Sequence, residues 1–182
     1  MRIISGKHKG RHITAPKNLP VRPTTDMAKE ALFNILNNNY YFNDISVLDL
    51  FAGTGNISFE FASRGSEQIT CVDIDKGCIK FISHISEQLR FGISTIKSDV
   101  FKYLDSSNIK VDVIFADPPY HMALDDFAKI PELVFAKDLL LDNGILILEH
   151  AKHMDLSHLP HFSHQRKYGG SVFSFFEQSK IV

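Results

Sequence analysis

From Ile45 onward, short apolar runs alternate with longer segments in which apolar residues return every three or four positions. The runs ISVLDLF, QITCVDI, ISTIKSDV, VDVIFAD and GILILEH are rich in β-branched residues and close to continuous in apolarity. Strands buried on both faces of a parallel sheet read this way. Between them, NISFEFASRG, ending at Gly65, and KGCIKFISHISEQLRFG have helical spacing, and a further helix is predicted from Leu124 to Ala136. This alternation predicts an α/β fold, a doubly wound and mostly parallel sheet with helices on both faces.

The two ends of the chain follow other patterns. MRIISGKHKGRHITAP places two short β-prone pieces around a Gly/Lys turn and predicts a small N-terminal β-hairpin. NLPVRPTTD is loop-like, and from Thr25 the residues Ala28, Ala31, Leu32, Ile35 and Leu36 form an i, i+3, i+4, i+7, i+8 stripe behind a Thr/Thr/Asp start. At the other end, FSHQRKYGGSVFSFFEQ predicts a hairpin closing through Gly169-Gly170. The organisation expected is an arm, residues 1–24, followed by a body, residues 25–182.

Composition adds few surprises. With 182 residues, 44% hydrophobic and 23% charged, the chain has the size and balance of one soluble domain with a short appendage. No apolar stretch approaches the roughly 20 residues needed to cross a bilayer, and MRIISGKHKG lacks the continuous apolar segment of a secretion signal. Cys71 and Cys78 are the only cysteines, so no disulfide framework is expected, and a cytoplasmic location is.

Charge changes the picture more. The net charge is −1, yet the first acidic residue is Asp26, and Arg2, Lys7, Lys9, Arg11, Lys17 and Arg22 all precede it. The rest of the chain carries 14 basic against 21 acidic residues, a net of −7. A basic arm on an acidic body suits polyanion binding through release of phosphate counterions. A solvated basic hairpin without a partner accounts equally well for charge alone.

Candidate chemistry lies at the strand ends. In LDLFAGTGNIS, Leu48 to Ser58, glycines follow a strand and precede a helix, where backbone can approach a ligand closely beside unpaired helical N–H groups. The bland alternative is a tight strand-to-helix turn. The missing G-K-[ST] ending excludes a P-loop, and Ser58 at the third glycine position breaks the dinucleotide fingerprint. What remains is a Rossmann-like site for another adenosine-bearing molecule. Asp73, 20 residues after Gly53 and ending the second strand, can accept from both ribose hydroxyls. Asp99, in KSDVF at the end of the third strand, can accept from an adenine amino group or simply stand in a surface turn.

FADPPYHM, Phe115 to Met122, stops the fourth strand abruptly. Two prolines fix φ and cannot donate to a ladder, so Asp117 to Tyr120 form a stiff loop past the strand's carboxyl end, where α/β sheets bind ligands. A carboxylate, a proline carbonyl and an aromatic ring meet the needs of holding an exocyclic base amine. A rigid turn with Tyr120 packed on the core would use the same residues.

Together LDLFAGTGNIS, VDID, SDVF and FADPPY resemble the class I S-adenosylmethionine-dependent methyltransferases that act on nucleobase amines. MRIISGKHKGR, VRPTTDMAKEALFNIL and RKYGGSVFSFFE narrow the resemblance, over essentially the whole chain, to the RsmD family, which methylates the exocyclic N2 of a guanine in 16S ribosomal RNA. Met27 departs from the pattern, standing where many relatives carry a basic residue. The resemblance implies S-adenosyl-L-methionine as cofactor, with Asp49, Gly53 and Gly55 around its methionine part, Asp73 at the ribose and Asp99 at the adenine. It implies a catalytic loop of Asp117, Pro118, Pro119 and Tyr120 that holds the guanine, no metal, and RNA contacts from Arg2, Lys7, Lys9, Arg11 and Arg22. The implied partner is 16S ribosomal RNA within a small-subunit assembly particle, and nothing in the sequence requires more than a monomer.

Competing readings of the chain are an adenine-N6 methyltransferase of DNA or RNA, which would share D-P-P-Y, and a non-catalytic RNA-binding protein that keeps the fold. His158, His161 and His164 recur every third residue but follow neither helical nor zinc-finger spacing, so they read as surface histidines. Glu149 and His150 end the last parallel strand, either supporting the site or merely solvated there.

Overall fold

The computed structural model describes residues 1–17, 19 and 24–178. Helix α1 (Asp26–Asn37) starts where the Thr25 hydroxyl accepts from the Ala28 N–H at 3.3 Å. After a short 3-10 turn at Phe42–Asp44, the alternation runs β1 (Ser46–Leu50), α2 (Asn56–Ser63), β2 (Gln68–Asp73), α3 (Lys76–Leu89), β3 (Ile93–Lys97), α4 (Val100–Ser106), β4 (Val111–Ala116), α5 (Leu124–Ala136) and β5 (Leu140–Ala151). A closing hairpin adds β6 (Phe162–Tyr168) and β7 (Ser171–Glu177) around Gly169-Gly170. Helix α4 has no counterpart among the helices expected from the sequence, because a seven-residue helix shows too little of the 3.6-residue period.

Among the described residues, seven strands form one sheet in the order β3-β2-β1-β4-β5-β7-β6. Strands β1 to β5 are parallel, and β7 runs antiparallel to both β5 and β6. Alternate residues divide the core. Val47, Val113, Phe115, Ile145 and Ile147 meet α1, α2 and α3 on one face. Leu48, Ile114, Ala116, Leu146 and Leu148 meet α4 and α5 on the other. The winding direction reverses between β1 and β4, leaving a crevice at their carboxyl ends, the ligand position of open α/β sheets.

The N-terminal segment reverses direction as expected, and among the described residues it makes one isolated bridge, Arg2 with His12, in place of a full hairpin. The reason lies in α2. Its buried Glu60 takes the N–H groups of Ile4 and Ser5 at 2.8 and 3.0 Å, and Ser63 takes that of Lys7, so these groups are drawn out of a ladder that otherwise keeps the cross-turn bonds of Ile3 with Arg11 and Ile13 with Met1. Ile3 and Ile13 enter the same core cluster as Leu32 and Phe33 of α1.

Candidate active site

The loop after β1 bends through three left-handed residues, Phe51 (φ 56°), Gly53 (φ 54°) and Gly55 (φ 76°). At Gly55, which caps α2, a Cβ would lie 2.9 Å from Ile82 and 3.1 Å from Phe59, so side-chain packing as well as φ demands glycine. The Gly53 N–H donates to Asp73 Oδ2 at 2.8 Å, and the Ala52 N–H to the Val72 carbonyl, tying the loop to β2. The resulting crevice has a volume of about 460 Å³ and is walled by Asp49, Gly53, Asp73, Ile74, Asp117 and Tyr120, among others.

Asp49 lies deep in this crevice, on the α1 face of β1. Ser58 Oγ donates to its Oδ2 at 2.5 Å. A hydroxyl has one proton, so the Cys71 thiol, 2.9 Å from Ser58 Oγ, is the donor in that second contact. Burial pushes Asp49 up to about 7, against the Ser58 hydrogen bond and with help from the charge of Asp73. Ser58, which broke the dinucleotide fingerprint, thus has a task of its own in orienting the acid at the crevice floor.

Asp73 accepts from Gly53 through one oxygen and from the Asp75 N–H through the other, at 2.8 Å each. Each oxygen retains a lone pair for a ligand hydroxyl. Ile74 follows and is 66% exposed, an apolar side chain held out over the crevice. Asp99 is not among the crevice-lining residues; its Oδ1 caps α4 by accepting from the Lys102 N–H at 3.0 Å.

On the far wall, Asp117, Pro118, Pro119 and Tyr120 all line the crevice, with Pro118 buried and Tyr120 57% exposed. Tyr120 is therefore not packed away in the core. Burial raises the Asp117 carboxyl well above its ordinary range, and the nearby charges of Glu149 and then Asp49 raise it further. Glu149 and His150 are both buried, which removes the solvated strand-end reading. Thr24 Oγ1 donates to Glu149 Oε2 at 2.6 Å, and His150 Nε2 lies 2.8 Å from Ser174 Oγ.

Sequence reasoning missed Thr24, Phe51, Ile74 and Asn56 as crevice residues. Only Ile74 left a usable signal, an apolar residue directly after a strand-ending acid.

Lys7, Lys9 and Arg11 are exposed on the N-terminal turn, while Arg2 pairs with Asp26 at 3.1 Å. Arg22 lies outside the described residues. Beneath the turn, Lys29 of α1 is 1% exposed and donates to the Arg2 carbonyl at 2.6 Å and to Asn56 Oδ1 at 2.8 Å, with Glu60 Oε2 at 3.4 Å. Asn56 in turn donates to the Thr24 carbonyl at 3.0 Å. One polar network therefore joins the basic turn to the crevice wall. Of the three spaced histidines, His161 stacks on Phe135 and His164 on Phe175.

Comparison with known proteins places nearly the whole chain among relatives. A family model described as Conserved hypothetical protein 95 matches residues 1–177. Ribosomal RNA small subunit methyltransferase D of Buchnera aphidicola subsp. Acyrthosiphon pisum is 34% identical over 153 residues, covering 82% of this chain and 78% of that protein. Its namesake in Escherichia coli is 31% identical over 154 residues, covering 80% of this chain and 69% of that one. A hypothetical protein from Thermus thermophilus superposes with a TM-score of 0.83 at 27% identity, covering 97% of this chain and 99% of that one. With a match over nearly its whole length and relatives of this kind, the chain belongs to the Conserved hypothetical protein 95 family, the family of RsmD.

Proposed function

We propose that this chain transfers a methyl group from S-adenosylmethionine to the exocyclic N2 of a guanine in 16S ribosomal RNA. The observation that carries the reading is the convergence of the Asp117–Tyr120 loop with Asp49, Gly53 and Asp73 on one crevice at the sheet's switch point, in a chain related to proteins named ribosomal RNA small subunit methyltransferase D.

The residues present fit the cofactor. A buried acid at the end of β1 suits an ammonium group, an acid with spare lone pairs at the end of β2 suits a ribose diol, and exposed Ile74 suits a flat purine. Asp99 stands just outside the crevice lining with its Oδ1 occupied in capping α4, so only its Oδ2 is left as the candidate acceptor for the adenine amino group. When bound, S-adenosylmethionine supplies an electrophilic sulfonium methyl, so the protein's work is mainly alignment. Asp117 accepts from N2–H and the Pro118 carbonyl accepts a second hydrogen bond, which together favour a pyramidal nitrogen and stabilise its developing positive charge. The raised proton affinity of Asp117 equips it to take the proton that N2 gives up. Tyr120 stacks on the guanine once it has left its helix, with Pro119 stiffening the loop between them.

Asp49 makes cofactor binding pH-dependent. It is ionised above about 7, so affinity for the ammonium group should rise as pH climbs through that value. Calorimetric titration should give a flat profile over the same range for Asp49→Asn; a profile that still rises would release Asp49 from the role. Linkage has the opposite sign for stability: a carboxyl raised on folding holds its proton more tightly in the folded chain, so its contribution declines as pH rises from about 4 to about 7.

Within this reading, residues 1–24 contact RNA and residues 25–182 carry the chemistry, acting as a monomer in the cytoplasm on an assembling small subunit. Replacing Lys7, Lys9 and Arg11 by alanine should lower the slope of log affinity against log salt by about 2–3, at roughly 0.7–0.9 per phosphate contact. An unchanged slope would take the turn out of the interface. The function itself is tested by methyl transfer from labelled S-adenosylmethionine to unmodified small subunits, their naked RNA and duplex DNA, followed by nucleoside mass analysis. N2-methylguanosine from RNA or subunits is expected; N6-methyladenosine would overturn the assignment.

A further inference from the structure

Glu149 is a buried acid with no part in the reaction as described. Its position gives it one. Ala116 and Leu148 are partners across β4 and β5, so Asp117 and Glu149 follow on neighbouring strands about 5 Å apart. Phe115 and Ile147 point to the α1 face of the sheet, and two residues further on so do Asp117 and Glu149. Glu149 does not wall the main crevice itself; with Asp117 it lines a small adjoining recess of about 10 Å³ beside Pro118 and Tyr120, room for the edge of a ligand rather than for a whole base.

Glu149 is also held in place from outside its own strand. The Thr24 hydroxyl donates to Oε2 at 2.6 Å, and Thr24 itself lines the main crevice. Burial pushes the Glu149 carboxyl up, and the Thr24 and Ser171 hydroxyls work against that by favouring the ionised, acceptor form. A carboxylate accepts up to about four hydrogen bonds, so this one keeps capacity for a ligand donor. Burying such a group is costly unless donors meet it.

We propose that Glu149, set by Thr24, reads the N1–H of the target guanine while Asp117 engages N2, so that the two neighbouring acids together select guanine. The inference rests on the guanine-N2 reading above. Guanine presents adjacent donors at N1 and N2, whereas adenine N1 and cytosine N3 are acceptors. An acceptor placed against Glu149 would leave two lone-pair groups facing each other in a dry site, and such mismatches reject a substrate strongly.

The test compares one RNA in two forms. Once the methylated guanine has been mapped by mass analysis, a fragment spanning it is made with guanine or with 2-aminopurine at that position. 2-Aminopurine keeps the 2-amino group but turns N1 into an acceptor. The wild-type enzyme should favour guanine in kcat/KM by on the order of 10²–10⁴. Glu149→Gln, whose amide can donate to an acceptor, should shrink that ratio by roughly tenfold or more. Thr24→Val should move it in the same direction and Thr24→Ser restore it, which keeps the test alive if Glu149→Gln does not fold. If the variants slow both substrates equally and leave the ratio unchanged, Glu149 only supports the fold and the proposal is overturned. Absence of N2-methylguanosine with the wild-type enzyme and the guanine RNA would instead remove the reading on which it rests.

Discussion

Replacing Asp117 by alanine will slow methyl transfer by on the order of 10³-fold while cofactor affinity stays close to wild type. The expectation follows from where Asp117 sits. It lies at the end of β4, on the wall opposite the glycine loop, and shares that wall with Tyr120. The cofactor's anchors, Asp49 and Asp73, belong to β1 and β2. Removing the carboxylate takes away the acceptor for N2–H, an interaction of the bound complex as well as of the transition state. It also takes away the charge that stabilises the nitrogen as it becomes positive, which acts in the transition state alone, so kcat falls further than RNA affinity. Single-turnover methyl transfer and calorimetric binding of S-adenosylmethionine separate the two readouts. Asp117→Asn, which keeps a carbonyl acceptor without the charge, should fall between. Equal losses of rate and cofactor affinity would make Asp117 a structural residue.

The second large effect concerns stability. Lys29→Ala should cost about 3–5 kcal/mol, because it leaves the buried Glu60 with Arg64 as its remaining cation and at the same time strips the donor from the Arg2 carbonyl and from Asn56 Oδ1. Lys29 and Glu60 are 1% and 0% exposed, and burial holds the Lys29 amine below its usual range even with Glu60 beside it. Glu60 also accepts from Ile4, Ser5 and Arg64, so the acid without its lysine would loosen the N-terminal turn from α2. A domain of this size loses roughly 2–4 °C in Tm per kcal/mol, which places the fall at roughly 6–20 °C. Thermal denaturation of Lys29→Ala, Glu60→Ala and the double variant is the measurement. The double variant should lose less than the sum of the singles, since once one member of the Lys29–Glu60 pair is gone, removing the other no longer breaks that pair. Additive losses would show that the two side chains act independently.

Much of the molecule was readable one segment at a time. Runs such as VDVIFAD report a buried strand because side chains in a parallel sheet meet apolar surroundings on both faces. Helix α1 was visible in its Ala28–Leu36 stripe and Thr25 start, and the closing hairpin in Gly169-Gly170. The crevice was readable to the extent that its chemistry is local: Asp49, Gly53 and Asp73 end or follow their own strands, and Asp117 to Tyr120 form one continuous loop. Helix α4 escaped because a single turn or two carries no period. Asp99 was placed at the correct strand end, yet it caps α4 outside the crevice lining.

What the sequence determined by itself, then, was the set of elements, the switch from helical to strand period, and the residue types standing at each strand end. These follow from the chain's local geometry, in which a repeat of 3.6 or 2 residues fixes which side chains share a face. Tertiary structure alone decided that β7 inserts between β5 and β6, that Glu60 would draw the basic turn onto α2, and that Thr24 would meet Glu149 across 125 residues of chain. No local period encodes such meetings, because each depends on how whole elements pack and on which buried polar groups remain to be satisfied once they have.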